Sequence, residues 1–411
     1  MTAPAAYAPD SRYAWIRLVI SLLLAVVGGM GLWLAVVVLP TIQTEFGVDR
    51  AGASLPYTAT FLGFAAGGFA MGKMADRFGI MVPVTIAGAS LGIGFFLAAL
   101  STSYWQYVVV QAVFIGFLGS AATFGPLVAD ASQWFLRRRG IAIAIVASGN
   151  YIAGTIWPPF MQAAIQSYGW RWTYMAIGLL CVVVMIPLAQ FLRKRPQFHD
   201  TASPASRSAG QKGLLPSHRF LFPALVLAGL SCCVAMSMPQ VHIVAYCADL
   251  GYGPARGAEM LSIMLGFGVL SRLVSGLVAD KVGGLPTLIA GSAMQMLALI
   301  AYIPFDGLAS LYVVSAIFGL SQGGIVPSYA LIIRDHFPAR EAGSRISTVL
   351  TATVFGMALG GWMSGEIYDW TGSYTAAFLN GVAWNVLNLA IALWILYVRR
   401  PHSPPLKPAV A

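Results

Sequence analysis

Long apolar runs dominate this sequence and place the first constraint on its fold. Twelve runs of about 20 residues or more can be delimited, and a helix of that length crosses the ~30 Å hydrocarbon core of a bilayer. Backbone polar groups must be paired within a segment at that depth, and these runs are longer than barrel strands, so we predict helices. The predicted spans 1 to 12 are 16–40, 53–75, 81–100, 105–132, 140–163, 172–193, 220–247, 257–279, 285–303, 309–333, 345–366 and 374–398. The sequence therefore predicts an all-α integral membrane protein with twelve transmembrane helices.

The composition agrees with a chain that is solvated mainly by lipid. Of the 411 residues, 58% are apolar, 12% are aromatic and only 9% are charged, against roughly 25% charged in soluble domains. These values exclude an ordinary soluble domain and a disordered chain. The net charge of +10 would suggest nucleic acid in a soluble protein, but basic loops at a membrane produce the same excess. We therefore predict the lipid bilayer as a partner, and no nucleic acid.

Basic residues are distributed unequally between the two sides of the predicted membrane. Most of the 24 lysines and arginines lie near the chain ends or in the loops on that same side, whereas the other side has Arg50, Arg171 and Arg256. By the positive-inside rule, both termini are predicted to be cytoplasmic, with the protein in the cell inner membrane or plasma membrane. This assignment leaves one basic residue, Arg272, inside a span.

A stretch rich in Ser, Pro, Ala and Arg interrupts the apolar pattern at residues 194–219. Such a composition predicts a cytoplasmic linker. It divides the chain into an N-terminal six-helix bundle, 1–193, and a C-terminal six-helix bundle, 220–400, followed by a cytoplasmic tail, 401–411.

The same loop pattern, Gly-x-x-Ala-Asp-basic-x-Gly, follows span 2 and span 8. An aromatic residue followed by basic residues and a glycine recurs after spans 4 and 10 at nearly the same offset, which favours a parallel repeat. Glycines permit a sharp turn, and the Asp can cap a helix or pair with a basic residue. We predict that these loops gate the cytoplasmic side; the alternative is a plain polar turn. The predicted gating residues are Gly72, Asp76, Arg77, Gly79, Gly276, Asp280, Lys281 and Gly283.

Twelve spans, a central linker and these two loops resemble the major facilitator superfamily. The family loop reads Gly-x-Leu-Ala-Asp-Arg-x-Gly-Arg, and here Met74 replaces the Leu and Ile80 the last Arg. The resemblance covers roughly residues 13–400. It implies the major facilitator fold, transport by alternating access and a monomer.

Arg272 is the strongest candidate for a substrate ligand. It lies about 12 Å inside the cytoplasmic end of span 8, where insertion of an arginine costs roughly 2.5–3.5 kcal/mol. A guanidinium offers a carboxylate two coplanar hydrogen bonds. The alternatives are an ion pair with a carboxylate on another span, or snorkelling toward the cytoplasm.

An Arg in the middle of span 8 resembles the monocarboxylate-porter branch of the superfamily, which includes oxalate–formate exchangers. The resemblance implies that Arg272 holds the substrate carboxylate. Dicarboxylate exchangers add a Lys in span 11 and animal members a Lys in span 1; this chain has neither. Without a Lys in span 11, the single fixed cation suits a substrate with one carboxylate. The absence of a Lys in span 1 argues against a Lys-based proton relay.

Other polar residues at membrane depth extend the predicted site. Asn150, Tyr151 and Gln322 lie near mid-membrane and are predicted to hydrogen-bond the substrate, or alternatively to join helices. His242 and Asp130 are the candidates for proton coupling. The alternatives are a neutral, hydrogen-bonded histidine and an ion pair of Asp130 with the arginines at 137–139.

Two small-residue patterns, Gly63-x-x-x-Gly67 and Gly356-x-x-x-Gly360, predict close helix packing. We also expect these faces to be surfaces on which the bundles slide during transport.

These observations predict a secondary active transporter of a small organic anion, a monocarboxylate carried with a proton. The alternatives are an anion exchanger of the oxalate–formate kind and a carrier of an unrelated solute. No phosphate-binding loop of the Walker type occurs, and neither the cysteines nor the histidines have metal-ligand spacing. We therefore predict no enzymatic activity, no cofactor and no metal.

Overall fold

The computed structural model describes residues 10–135, 138–194, 218–337 and 339–398. Most of the predicted linker, at 195–217, and the whole of the predicted tail lie outside these residues. Within the described residues the regular structure is entirely helical, without strands.

The helices follow the twelve predicted spans, and several predicted spans consist of consecutive shorter helices. In the first half they are Arg12–Gly28, Met30–Val37 and Leu39–Phe46 (span 1), Arg50–Phe78 (span 2), Met81–Leu100 (span 3), Tyr104–Val110, Gln111–Gly119, Ser120–Thr123 and Gly125–Trp134 (span 4), Arg139–Ala147 and Gly149–Tyr168 (span 5) and Trp170–Gln190 (span 6). In the second half they are His218–Asp249 (span 7), Pro254–Val282 (span 8), Gly284–Ala301 (span 9), Leu308–Gln322 and Ile325–His336 (span 10), Ala339–Thr371 (span 11) and Tyr374–Val398 (span 12).

Eleven of the described spans are long and apolar enough to cross a membrane by length and hydropathy alone. Span 2 is the remaining one. Its 29 residues exceed the length needed to cross, but Pro56, the threonines and glycines that follow it, and the charges near its end lower its apolar content.

Spans 4 and 10 are interrupted at corresponding points of the two halves. Span 4 changes from an α-helix to a π-helix at Gln111 and then to a 3₁₀ turn before Gly125. Span 10 is interrupted at Gly323 and Gly324. A Cβ on Gly324 would overlap the side chain of Ser275, so this pair lets span 10 lie directly on span 8.

The four glycines of the two small-residue patterns bring helices of the same half into contact. Gly63 and Gly67 lie against the backbone of span 4, and Gly356 and Gly360 lie against the backbone of span 7. A Cβ at any of these glycines would overlap a carbonyl oxygen of the neighbouring span. The prediction of close packing is confirmed, but the expectation that these faces slide between the bundles is wrong.

The two halves meet along two pairs of helices, span 2 with span 11 and span 5 with span 8. We call the side of the membrane that carries both chain ends the terminal side, and the opposite side the distal side. Thr58 donates to the carbonyl oxygen of Ala358 at 2.9 Å, and Ser262 donates to that of Thr155. Together with bonds made by Arg50, Ala51 and Arg272, these contacts join the halves at mid-depth and on the distal side. The structure is therefore closed on the distal side.

Candidate substrate site between the two halves

Arg272 extends from span 8 to span 5 across the boundary between the halves. Its Nη1 donates to the carbonyl oxygen of Ala147 at 2.8 Å. Ala147 ends the first helix of span 5, where the last carbonyls have no intrahelical partner and carry partial negative charge. Arg272 therefore caps a helix end in mid-membrane, and within the described residues it forms no ion pair with a carboxylate.

One nitrogen of the Arg272 guanidinium is left without a partner. Nε is buried and makes no hydrogen bond, a state that costs about 1–3 kcal/mol or more for a charged donor. Another arginine of the chain shows what the Nε edge of a guanidinium can bind. Arg17 donates to the Asp130 carboxylate from Nε at 2.9 Å and from Nη2 at 2.8 Å. A carboxylate on the same edge of Arg272 would satisfy its Nε.

Tyr151 of span 5 and Gln322 of span 10 both approach span 8 at Gly268, one turn before Arg272. The Cζ atom of Arg272 is 4.4 Å from the centre of the Tyr151 ring, a cation–π contact. A Cβ on Gly268 would come within 2.7 Å of that ring and 3.2 Å of Gln322 Nε2. Gly268 therefore provides the space in which the aromatic ring and the amide approach the guanidinium.

The side-chain oxygen of Gln322 is engaged within the second half. It accepts a hydrogen bond from Gln240 Nε2 on span 7. Its Nε2 lies 3.5 Å from the carbonyl oxygen of Met264, near the limit for a hydrogen bond. This amide is fully buried.

Asn150 is oriented by span 1. Trp33 Nε1 lies 3.0 Å from the Asn150 backbone oxygen and 3.2 Å from Oδ1, and donates to both. This contact leaves the Nδ2 donors of the half-buried amide for another acceptor. The structure thus brings Arg272, Tyr151 and Gln322 together around Gly268, with Asn150 adjacent on span 5.

His242 lies away from this group, toward the distal side. Its Nε2 is 2.8 Å from the carbonyl oxygen of Gly361 and its Nδ1 is 3.1 Å from the Tyr374 hydroxyl. A carbonyl only accepts, so Nε2 carries a proton; Nδ1 accepts from the phenol in a neutral ring and donates to it in a protonated one. In either case both nitrogens are satisfied within the second half.

Asp130 is paired differently from the expectation. Both of its oxygens bind Arg17, and both side chains are buried. Within the described residues the partner of Asp130 is Arg17 on span 1; residue 137 and the side chain of Arg139, two of the expected partners, lie outside them. Arg17 lies only a few residues into the first apolar run, so the sequence did not indicate its burial; the helix begins at Arg12 and buries it.

A polar cavity of about 250 Å³ adjoins this ion pair. Asp76 and Gly79 of the first gating loop line it, together with Arg17, Asp130 and Lys194. The cavity lies on the terminal side of the first half, so it connects the loop after span 2 with the buried pair.

The two predicted gating loops have the same local geometry. Gly79 and Gly283 have φ values of 86° and 90°, which favour glycine. Asp76, Arg77, Asp280 and Lys281 are exposed. A Cβ on Gly72 or Gly276 would meet no neighbouring atom within 4 Å, so neither loop is packed against the opposite half at these glycines.

Several residues of the site carried no signal that we could read in the sequence. Ala147 contributes its backbone carbonyl oxygen, and Gly268 contributes the space that a larger side chain would fill. Trp33 looked like an ordinary apolar residue of span 1. The adjacent glycines Gly323 and Gly324 are the one signal that could have been used, since paired glycines inside a span indicate a break. In the described part of the chain, no cluster of three or more His, Cys, Asp or Glu side chains could hold a metal ion.

Comparisons with known proteins agree with this architecture. The chain resembles in fold a bacterial homologue of the human lysosomal transporter Spinster, in an inward-facing and occupied conformation. The TM-score is 0.70 at 15% identity, over 95% of this chain and 97% of that chain. The unoccupied inward-facing form of that homologue gives a TM-score of 0.67 at 15% identity, with 95% and 96% covered.

Sequence relatives are transporters. An MFS-type transporter of Gibberella moniliformis is 27% identical over 75% of this chain and 74% of its own. Monocarboxylate transporter 13 of Rattus norvegicus is 26% identical over 72% and 69%. An agnestins efflux protein of Paecilomyces divaricatus is 23% identical over 79% and 74%. The model of the Major Facilitator Superfamily matches residues 21–344 and 305–411. With its helical fold and this match across its length, the chain belongs to the major facilitator superfamily.

Proposed function

We propose that the chain is a secondary active transporter of a small monocarboxylate, with Arg272 as the ligand of the carboxylate. The observation that carries this proposal is the buried, unpaired Nε of Arg272 at the boundary between the halves. The Arg17–Asp130 pair supports it, because the same chain binds a carboxylate through that edge elsewhere. The likeness to a monocarboxylate transporter supports the same substrate class.

The surroundings of Arg272 suggest how binding is coupled to movement. Arg272 belongs to one half, and Ala147 and Tyr151, which hold it, belong to the other. A substrate on this guanidinium therefore contacts a group that both halves position. We infer that Asn150 Nδ2 provides a further donor on the first half, and that Gln322 orients the site from the second half.

Proton symport is the drive that we propose. Asp130 is better placed than His242 to exchange a proton, because a polar cavity adjoins it on the terminal side. His242 is fully buried with both nitrogens bonded. Protonation of Asp130 would weaken its pair with Arg17, beside the Asp76 loop.

The terminal side is proposed to be cytoplasmic, from its excess of basic residues. In that orientation the described structure is closed to the outside. We propose that the loops containing Asp76 and Asp280 close the cytoplasmic side in the opposite state. The linker and tail would then also be cytoplasmic, and the protein would act as a monomer in the inner or plasma membrane.

The experiment that tests this function uses the purified protein in proteoliposomes with an imposed pH gradient. Labelled monocarboxylates, oxalate and sugars are offered one at a time. We expect monocarboxylate accumulation that a protonophore abolishes. Accumulation that occurs only after the liposomes are preloaded with an anion would indicate exchange instead of symport. Uptake of sugars in preference to carboxylates would contradict the substrate class.

The same assay separates the two proton candidates. Asp130→Asn combined with Arg17→Gln removes the pair without leaving a buried charge. His242→Gln can keep both hydrogen bonds, from an amide N–H to Gly361 and from Tyr374 to the amide oxygen. We expect loss of pH-driven accumulation in the first variant and its retention in the second.

Efflux of a larger organic solute is the second candidate, and the fungal efflux relative favours it. A panel that includes aromatic acids distinguishes the two candidates. Outward transport of such compounds without monocarboxylate uptake would favour efflux.

A further inference from the structure

The beginning of span 2 is held by charged and aromatic groups of the second half. Arg50, only 5% exposed, donates from Nη2 to both oxygens of Asp249 at 2.9 Å. Its Cζ atom lies 4.7 Å from the centre of the Tyr368 ring and 5.7 Å from that of Tyr374. Arg50 is thus an N-half cation enclosed by three residues of the C-half.

A second carboxylate of the C-half binds the backbone at the same place. Asp369 accepts from the backbone N–H groups of Arg50 at 2.9 Å and Ala51 at 2.7 Å. The first N–H groups of a helix have no intrahelical acceptor and form its positive end. Span 2 already has its own cap, because Asp49 accepts from Gly52 N–H at 2.7 Å. Asp49 leaves the N–H groups of Arg50 and Ala51 open, and the other half supplies their acceptor through Asp369.

Close backbone contact makes these bonds conditional on closure. A Cβ on Gly365 would come within 2.7 Å of Ala51 Cα, and one on Gly361 within 3.1 Å of the Tyr57 ring. Asp369 lies one turn beyond Gly365 on the same helix. Its bonds to span 2 exist only while these two helices touch, and separation of the halves on the distal side must break them.

We infer that Arg50, Asp249 and Asp369 form a lock that holds the distal side closed and opens once in each transport cycle. The lock is incompletely satisfied, since Arg50 Nε is buried without a hydrogen bond. The cost of burying this unpaired donor offsets part of the stability that the ion pair gives to the closed state. The distal side can therefore still open. The lock needs no substrate, so it stands independently of the proposed function.

The experiment measures distances across the distal side of the full-length protein in nanodiscs. Spin labels are attached at Tyr168→Cys and Phe305→Cys, exposed by 74% and 54% in the two halves. The native cysteines are buried. Pulsed electron resonance then gives the ratio of distal-open to distal-closed molecules without added substrate.

We expect Asp369→Asn to raise the open-to-closed ratio about fivefold, as for a carboxylate removed from a helix N-terminus. Glu366→Gln is the matched control, since Glu366 is an acid one turn away on the same span and is outside the lock. Unchanged distances in Asp369→Asn, or an equal change in Glu366→Gln, would overturn the inference.

Exchange of the charged pair tests the lock without relying on one destabilised variant. Arg50→Asp and Asp249→Arg alone each place like charges together and should open the distal side. The double variant should return the closed population toward that of the parent. An opening as large in the double variant as in the singles, with helix content retained, would refute the pairing.

Discussion

At the residue scale, the site depends on how a guanidinium is held rather than on its presence alone. The Arg272 guanidinium donates from Nη1 to the Ala147 carbonyl oxygen and lies over the Tyr151 ring. These contacts leave the Nε without a partner. The sequence predicted Arg272, because a lone arginine inside a span is costly and therefore informative. It did not predict Ala147, whose contribution is a backbone oxygen that any residue would supply.

Gly268→Ala tests the contact between Tyr151 and Arg272. The added methyl group would come within 2.7 Å of the Tyr151 ring, which must then move off the guanidinium. We expect the KM for the substrate to rise about tenfold, equivalent to ~1.4 kcal/mol. Gly266→Ala is the control, because its methyl would lie 3.3 Å from the nearest Thr155 atom. Equal KM values for the two variants would contradict the role of the ring.

At the element scale, hydropathy predicted all twelve spans to within about six residues of the ends of the helices. It did so because the bilayer requires a minimum length from every crossing helix. The interruptions in spans 1, 4, 5 and 10 were not predicted, since hydropathy reports the length of an apolar run and not whether its helix is continuous. The burial of Arg17 and Arg50 was also not predicted: both lie near a helix end, where the sequence gives no sign that another helix covers them.

Gly63→Ala tests the packing of span 2 on span 4. Its methyl would overlap the Ala112 carbonyl oxygen, and such overpacking costs about 1–3 kcal/mol. We expect a lower Tm of the detergent-solubilised protein. Gly68→Ala should leave the Tm unchanged, because that position has no atom within 4 Å. A similar Tm for both variants would mean that this face is not tightly packed.

At the scale of the whole molecule, the two sides are built differently. The distal side is joined by an ion pair and a helix cap, whereas the terminal side has two copies of a Gly-Asp loop. The repeat was readable from the sequence because both loops keep the pattern Gly-x-x-Ala-Asp-basic-x-Gly, whose last glycines, Gly79 and Gly283, have positive φ in the structure. The lock was not readable, since Arg50 and Asp369 are more than 300 residues apart in the chain.

Asp76→Asn and Asp280→Asn test the terminal-side loops as gates. A gate residue stabilises one state without touching the substrate, so its loss should lower turnover more than affinity. We expect transport to fall about tenfold while the dissociation constant changes by less than about threefold. Substrate binding is measured by a scintillation assay and transport by uptake into proteoliposomes. A proportional loss of binding and transport would mean that these residues act in substrate binding.

The most direct test of the central claim is binding of a labelled monocarboxylate to purified Arg272 variants. Arg272→Gln removes the charge, and Arg272→Lys keeps the charge but loses the planar fork. We predict no saturable binding in Arg272→Gln and weakened binding in Arg272→Lys, with the distal distance distribution still measurable in both. Binding in Arg272→Gln with the affinity of the parent would contradict the proposal that this guanidinium holds the substrate.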